Sequence, residues 1–503
     1  MLVFMASNKK FQEQLIQMLT HRGFVWGPEP EIYGGLAGFF TYAPLGKRLK
    51  NNIENKIREV FIANDYWEVE CPIIMPREVW KASGHLEGFT DPLVECSKCK
   101  GVFRIDKLIE EKYPDVVISA FKEKEFLEFV NEAKVKCPTC GSKFLPEVRR
   151  HNLMMRTTIG TNIEAYNRPE TATTTYLPFK RYYEFFRKKF PFGVFQIGKA
   201  FRNEISPRQH VIRCREFTQA EAQLFLTKKL KQDWKQFEKV KKEKLPLWTW
   251  YLQDDKKGLE MTSLDSAMSG NLLKNKAYAW TLYVSYKIFT ELGIPQEKIR
   301  FRQHAPDEKA FYSDDTWDLE VELQSFGWTE MCGISDRTDY DVGNHSKASG
   351  TDMTVPDEEN NKIFPQIIEI AFGTDRPTFA ILDMFYKPDA GVGERNVLAL
   401  PKHIAPIQVA VFPLMARDNL DVKAKEVHAM LAKEFMASYD EAGSIGKRYA
   451  RMDEVGTPFC VTIDYDTLEK GKNDVTIRER DTGKQERIKI TELAKKLRKE
   501  LNK

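Results

Sequence analysis

The sequence predicts an α+β protein in several parts, and three observations carry that prediction. A length of 503 residues suggests about three domains. Beyond a proline-flanked linker at 401–406, strands alternate with helices, which argues for a compact α/β domain of about 100 residues at 404–503. Two CxxC pairs bracket a charged stretch and mark an insertion held by metal. With 42% hydrophobic and 30% charged residues, the chain has enough apolar material for real cores and enough charge for solubility.

Taken in order, residues 9–22 read as a short helix and the Gly-rich 27–40 as loop. Leu45, Leu49, Ile53, Ile57 and Phe61 recur at helical spacing. Residues 66–75 have the aromatic and β-branched content of a strand ending at Pro76. Residues 107–136 are the charged part of the cysteine-bearing insertion. Residues 227–260 are Lys-rich, contain Trp234, Trp248 and Trp250, and read as a second, largely helical insertion. Near the carboxy terminus, IQVAVFPL and FCVTIDY read as buried strands and 419–437 as an amphipathic helix. VTIRERDTGKQERIKI reads as a hairpin turning at 481–483, and ITELAKKLRKEL as a closing helix. The division is therefore a body at 1–95, 151–227 and 266–400, insertions at 96–150 and 228–265, and a carboxy-terminal domain at 404–503.

A formal net charge of only +4 means that any nucleic-acid footprint must be local. The amino terminus MLVFMASNKK has too short an apolar run for a signal peptide, and no run of about 18 apolar residues predicts a membrane span. Eight cysteines in so long a chain do not resemble a disulfide framework and fit a reducing, cytoplasmic compartment. Cys96, Cys99, Cys137 and Cys140 supply four thiolates in two turn-forming knuckles, which suits a closed structural zinc site with no position for a catalytic water. The competing readings are a metal-free vestige and, more weakly, a redox CxxC.

The richest stretch is 201–225, FRNEISPRQHVIRCREFTQAEAQLF. It reads as a strand–loop–strand hairpin with two Arg-Glu pairs, Arg202/Glu204 and Arg215/Glu216, and a Pro-containing loop in which Arg208 would face phosphate. Surface ion pairs of this kind are common and contribute little. The whole string, however, resembles motif 2 of class II aminoacyl-tRNA synthetases, in the glycyl-tRNA synthetase form. The resemblance spans nearly the whole chain. FFTYAPLGKRLKNNIENKIREVF with VECPIIMP is similar to motif 1, and IIEIAFGTDRPTFAIL to motif 3. SGHLEGFTDPLVEC, HNLMMRTTIG, NRPETATTTYLPF and GWTEMCGISDRTDYDVGNH match between them. The wording is closer to the archaeal and eukaryotic subgroup than to the bacterial one.

That resemblance implies an antiparallel-sheet catalytic domain, a zinc-knuckle insertion and an α/β anticodon-binding domain. It implies that glycine and ATP form glycyl-adenylate and pyrophosphate, and that glycine then passes to tRNA(Gly) with release of AMP. Arg202 would hold the α-phosphate and Glu204 would accept from the adenine amino group. Phe217 would stack on the adenine, with Arg376 on its other face reaching the γ-phosphate. Asn203, Arg213 and Met331 would also border the nucleotide, with Arg213 on the returning strand. Glu330 would hold Mg2+. Glu170, Glu221 and Glu369 would grip the glycine ammonium, with Arg337 pairing inside that cluster. Arg104 matches another substrate-associated position. Ala371 stands where the family usually has a Ser that helps bind the ammonium. The stripe 45–61, with Pro72 in the strand that follows, points to a homodimer interface.

The strings GKRYARMDEVGTPFCVTIDYDTLEKGKNDVTIRERDTGKQERI resemble the anticodon domain shared by several class II enzymes. Lys447, Arg448, Arg451, Arg478 and Arg480 would give it a basic surface. Two rivals remain: a synthetase for another small amino acid such as alanine or serine, and a catalytically silent, nucleic-acid-binding relative. Arg202, Glu204 and Arg376 are all present, which argues against the silent reading.

Overall fold

Alternating polar and apolar residues give the body a sheet with one apolar and one polar face. The computed structural model describes all residues except 1, 114–115, 117–120, 206, 208, 307, 310–312, 391–394 and 502–503, so the expected phosphate-facing Arg208 lies outside the described residues. Among the described residues the main sheet has nine strands, in the order Glu260–Ser263, Lys244–Trp248, Ile299–Gln303, Thr316–Leu323, Gly327–Thr338, Gln366–Gly373, Glu216–Leu226, Phe192–Phe201, Tyr66–Glu68. Its middle, from Ile299–Gln303 through to Phe192–Phe201, is antiparallel throughout.

On one face, Ala220, Ala222 and Leu224 of one strand and Ile368, Ile370 and Phe372 of the next join a core with Val284 and Ile288 of the helix Lys276–Glu291. Fully burying the larger of these, the Leu, Ile, Val and Phe side chains, contributes about 1.5–3 kcal/mol each. The other face carries Gln219, Glu221 and Gln223 beside Glu369 and Ala371. The register sets Glu221 opposite Ala371, and Ala371 opposite Gly333 on its other side. Polar residues that would break a core thus form one patch, and this patch floors the site.

The predicted 45–61 stripe lies on the helix Pro44–Ala63, but Leu49, Ile53, Ile57 and Phe61 are wholly buried in the core of the same chain. This helix packs on Lys276–Glu291 and on Asp375–Phe385. The stripe is therefore internal packing and not an intersubunit seam. The amino-terminal helix is longer than expected, Leu2–His21. The strand expected over 66–75 is two short ones. Tyr66–Glu68 joins the main sheet, whereas Ile74–Pro76 pairs with Ile163–Asn167 in a separate three-stranded sheet. Pro72, which cannot donate to a ladder, lies between them.

The Lys-rich segment is less helical than expected. Its helices Lys228–Gln232, Phe237–Val240 and Trp250–Asp254 are short, and its strands Lys244–Trp248 and Glu260–Ser263 extend the main sheet. The cysteine-bearing segment has its own three-stranded sheet, Val102–Arg104, Thr90–Cys96 and Phe144–Asn152. A small core around Phe103, Ile109, Phe126 and Val130 supports it.

In the carboxy-terminal domain a five-stranded sheet runs Ala437–Tyr439, Val409–Pro413, Phe459–Ile463, Asp474–Glu479, Gln485–Lys489. The helix Leu420–Leu431 and the closing helix Ile490–Leu501 pack on it. The short strand Ala437–Tyr439 and the helix Ile445–Glu454 were not anticipated. The expected linker is pinned to the body: Asn52 Nδ2 donates to the carbonyls of Ile404 and Ala405 at 3.1 and 3.2 Å.

Candidate functional site

A cleft of about 240 Å3 opens over the polar patch. Eleven of the expected residues line it: Glu170, Arg202, Glu204, Arg213, Phe217, Glu221, Glu330, Met331, Glu369, Ala371 and Arg376. A larger cleft, about 1190 Å3, separates the body from the carboxy-terminal domain. The smaller one is the candidate because it gathers the converging charged groups.

At one end three carboxylates meet. Glu221 and Glu369 are buried, 2% and 5% exposed, and extend from neighbouring strands. Glu170 comes from the turn before the helix Ala172–Tyr176. Burial, then the Glu369 and Glu170 charges, push Glu221 up to about 8. Burial also raises Glu369, although Arg337 opposes it. Burial would raise Glu170 as well, but the charge and hydrogen bond of His85, with Arg337 and Thr173, outweigh it and hold it low. Added positive charge here would favour the ionised forms of Glu221 and Glu369, and an ammonium is one group that could supply it.

Arg337 does not line the cleft. It sits behind Glu369, donating from Nη1 at 3.3 Å, and clasps Asp341 at 2.8 and 2.9 Å. Ala371 lies in the row between Glu221 and Gly333, within the cleft wall.

At the other end Arg202 directly follows the strand Phe192–Phe201, with its guanidinium 5.4 Å from the Phe217 ring and 5.3 Å from that of Phe89. Its Nε donates to the carbonyl of Pro169 at 3.1 Å. Arg376 begins the helix Asp375–Phe385 and donates to Glu330, whose carboxyl it holds below the usual carboxylate range. The expected local Arg-Glu pairs are not made. Arg215 spans instead from the carbonyl of Glu204, at 2.7 Å, to that of Ala37, at 2.9 Å, so it ties the 27–40 loop to the hairpin. Glu216 pairs with Lys199 at 3.0 Å.

Other expectations change. Arg213 is not on the returning strand, which starts only at Glu216; it follows the 3-10 turn His210–Ile212, whose Val211 and Ile212 are buried. Asn203 does not reach the cleft wall; its carbonyl meets His151 Nε2 at 2.9 Å. Arg104 does not reach it either, being held by Asp91 at 3.1 Å and Asp106 at 2.5 Å. In the carboxy-terminal domain Arg448, Arg478 and Arg480 are buried, not superficial. Arg448 donates to the carbonyls of Pro413, Leu414 and Gly443. Arg478 grips Asp453 through both nitrogens, and Arg480 reaches the carbonyls of Gly456 and Leu400. Arg451 pairs with Asp440. Of the five expected basic residues, Lys447 is the exposed one.

Sequence reasoning missed Lys50, Asp375 and His85. Lys50 meets Asp375 at 2.5 Å in a buried pair that also engages Thr218. His85 Nε2 lies 3.5 Å from Glu170. All three stand inside the matched strings, where only their company marks them.

The four knuckle sulfurs lie within 4.8 Å of one another. Cys96 and Cys140 are 3.4 Å apart, Cys99 and Cys137 3.6 Å. Tetrahedral zinc with bonds of about 2.3 Å needs sulfurs about 3.8 Å apart, so this donor set fits a closed zinc site.

Residues 161–385 match the family model described as "tRNA synthetase class II core domain (G, H, P, S and T)", and residues 408–500 match "Anticodon binding domain". The solved Giardia lamblia prolyl-tRNA synthetase in complex with prolyl-adenylate shares the fold, with a TM-score of 0.62 at 16% identity over 98% of this chain and 79% of that one. The fold and cleft are thus those of a class II aminoacyl-tRNA synthetase. Among curated relatives, the glycine–tRNA ligase of Pyrococcus horikoshii is 41% identical over 98% of this chain and 99% of its own length. Those of Thermococcus kodakarensis and Methanococcus maripaludis are 39% and 38% identical, over 97% and 96% of this chain and 98% of their own length. The chain belongs to the glycine–tRNA ligase family.

Proposed function

We propose that this chain attaches glycine to its tRNA through a glycyl-adenylate, and that the cleft performs the first step. The observation that carries the reading is the meeting, in one small cleft, of three carboxylates at one end with Arg202, Phe217 and Arg376 at the other. Glu170, Glu221 and Glu369 bind the ammonium and turn the glycine carboxylate toward the nucleotide. A carboxylate oxygen attacks the α-phosphorus, the bond to the bridging oxygen breaks, and pyrophosphate leaves. Arg202 neutralises charge on the α-phosphate, Glu204 accepts from the adenine amino group, Phe217 and Arg376 enclose the ring, and Arg213 and Met331 border it. These are positioning and electrostatic tasks, which suits a site with no nucleophile. Glu330 would hold Mg2+, which would supply further charge neutralisation to the phosphates. In the second step a hydroxyl at the tRNA 3′ end attacks the glycyl carbonyl and AMP departs.

The four thiolates hold structural zinc, in keeping with a reducing cytoplasm. The carboxy-terminal domain binds the anticodon region. The active form is a homodimer, joined not by the internal 45–61 stripe but by the exposed apolar residues near it: Ile62, Trp67, Ile74 and Phe185 are 59%, 56%, 44% and 65% exposed. Sedimentation that finds a monomer would remove that part.

The test is amino-acid-dependent ATP–pyrophosphate exchange without tRNA, comparing glycine, alanine and serine. Exchange with glycine alone supports the reading. Exchange with another amino acid keeps the enzyme class and overturns the substrate. No exchange in folded, zinc-replete protein leaves a nucleic-acid-binding role.

A further inference from the structure

The three carboxylates belong to three different segments, yet one six-residue stretch reaches all of them. Thr171 Oγ1 donates to Glu221 Oε2 at 2.5 Å, Thr173 Oγ1 to Glu170 Oε1 at 2.8 Å, and Tyr176 Oη to Glu369 Oε2 at 2.5 Å. The stretch is fixed from behind. Gln196 Nε2 donates to the Thr171 carbonyl at 3.0 Å and to Thr175 Oγ1 at 2.5 Å. Arg168 Nη1 donates to Gln196 Oε1 at 3.0 Å and to the Cys71 carbonyl at 2.9 Å. Gly198 makes room for that guanidinium, since a Cβ there would lie 2.2 Å from Arg168 Nη2.

We propose that Thr171, Thr173 and Tyr176 are positioning residues for the amino acid. Each hydroxyl turns one carboxylate and occupies one of its oxygens, which leaves oxygens on Glu170 and Glu221 for the ammonium while Glu369 contributes its charge. The proposal deepens the glycine reading above and rests on it. The distribution of partners gives it content. Both Glu369 oxygens are engaged, by Tyr176 and Gln223 on one side and Arg337 on the other. Glu170 keeps Oε2, facing His85 at 3.5 Å. Glu221 Oε1 has no protein donor among the described residues, and it is the open acceptor for an ammonium hydrogen.

A hydroxyl donated to an ionised carboxylate also opposes the repulsion among three like charges. Glu221 is faced by Glu369, Glu170, Arg202 and Arg168, Glu369 by Arg337, Glu170 and Asp341, and Glu170 by His85 and Arg337. Removing the Thr171 donor tilts that balance toward the protonated acid, which cannot accept from an ammonium. The loss is then largest where protons are plentiful and shrinks as pH rises.

The test measures glycine-dependent ATP–pyrophosphate exchange for the parent, Thr171→Val, Thr171→Ser and Tyr176→Phe, from about pH 7 to about pH 9. At the lower pH, Thr171→Val is expected to raise the KM for glycine about tenfold, with kcat and the KM for ATP within about twofold. The rise should shrink toward the higher pH, and Thr171→Ser should restore parental behaviour. Tyr176→Phe should raise the same KM several-fold, because Glu369 keeps Arg337, and it carries the test if the valine variant does not fold. A KM unchanged in both variants overturns the proposal. So does a rise that is the same at every pH and is not restored by serine, since that marks packing alone. A parent that exchanges with alanine or serine and not with glycine overturns the glycine reading, which is a separate outcome from either.

Discussion

Arg376 and Glu330 hold one another in the cleft: Arg376 Nη1 donates to the Glu330 carbonyl at 2.8 Å and to its carboxylate at 2.9 Å. The Glu330 side chain is 52% exposed, so the pair contributes little to stability. On the reading proposed above, an incoming ATP would offer phosphate to Arg376, and Glu330 would then be free to hold Mg2+.

Arg376→Ala is expected to lower kcat/KM for ATP by about 100-fold or more, the scale of losing a charge-stabilising donor. The KM for glycine should stay within about threefold. Exchange kinetics at saturating glycine check this, and a matching loss in glycine binding would count against the separation of the two ends.

Glycine binding should strengthen with pH. Glu221 lies up at about 8 in the folded protein against an ordinary 4.5, chiefly through burial. A raised acid binds its proton more tightly when folded, so its contribution to stability is full below 4.5 and is lost as pH rises through about 8. Glycine reverses part of that loss by supplying positive charge. The shift in melting temperature produced by saturating glycine should therefore grow between about pH 6 and about pH 8.5. A shift that is flat or shrinks across this range would show that Glu221 does not meet the ammonium.

Ala371→Ser would place a hydroxyl between Glu221 and Gly333 in the cleft wall. One added hydrogen bond of about 1 kcal/mol corresponds to a KM for glycine about fivefold lower. An unchanged or raised KM would mean that the alanine costs nothing here.

Lys50 and Asp375 are 2% and 4% exposed, and each is the other's counter-charge. Lys50→Met should cost about 3–5 kcal/mol in urea unfolding, because Asp375 is left charged and buried. Adding Asp375→Asn should recover part of that. Additive losses would mean that the two do not act as a pair.

Chelation should remove one equivalent of zinc and loosen the cysteine-bearing segment, whose own core is small. Proteolysis should then cut within 96–150 first. Cys99→Ser should do the same without chelator, and full protease resistance with no bound metal would refute the assignment.

Much of the fold was legible because periodicity is local. The Pro44–Ala63 helix, the hairpin flanking 202–215 and the closing helix all follow from spacing within short windows. Contiguous strings likewise brought most of the cleft residues into view. What stayed hidden depends on distant pairing. Lys50 and Asp375 are 325 residues apart, and no window contains both. The strand Lys244–Trp248 was masked by its lysine-rich surroundings, although Leu245 and Leu247 are buried. Arg448, Arg478 and Arg480 misled because charge in a sequence says nothing of where the side chain ends. A guanidinium with enough carbonyls and one carboxylate around it can be internal.

Pinning of the linker by Asn52, and the reach of Arg480 back to Leu400, have a mechanical corollary. Ile407, Phe412, Met452 and Val455 of the carboxy-terminal domain share one continuous core with the body. Unfolding of the two halves is therefore expected to be coupled, and an excised 404–503 fragment would open that core to water. On the proposed reading, a tRNA held at its anticodon would be held by a part fastened to the body, and the span from there to the cleft would set the length of tRNA that fits.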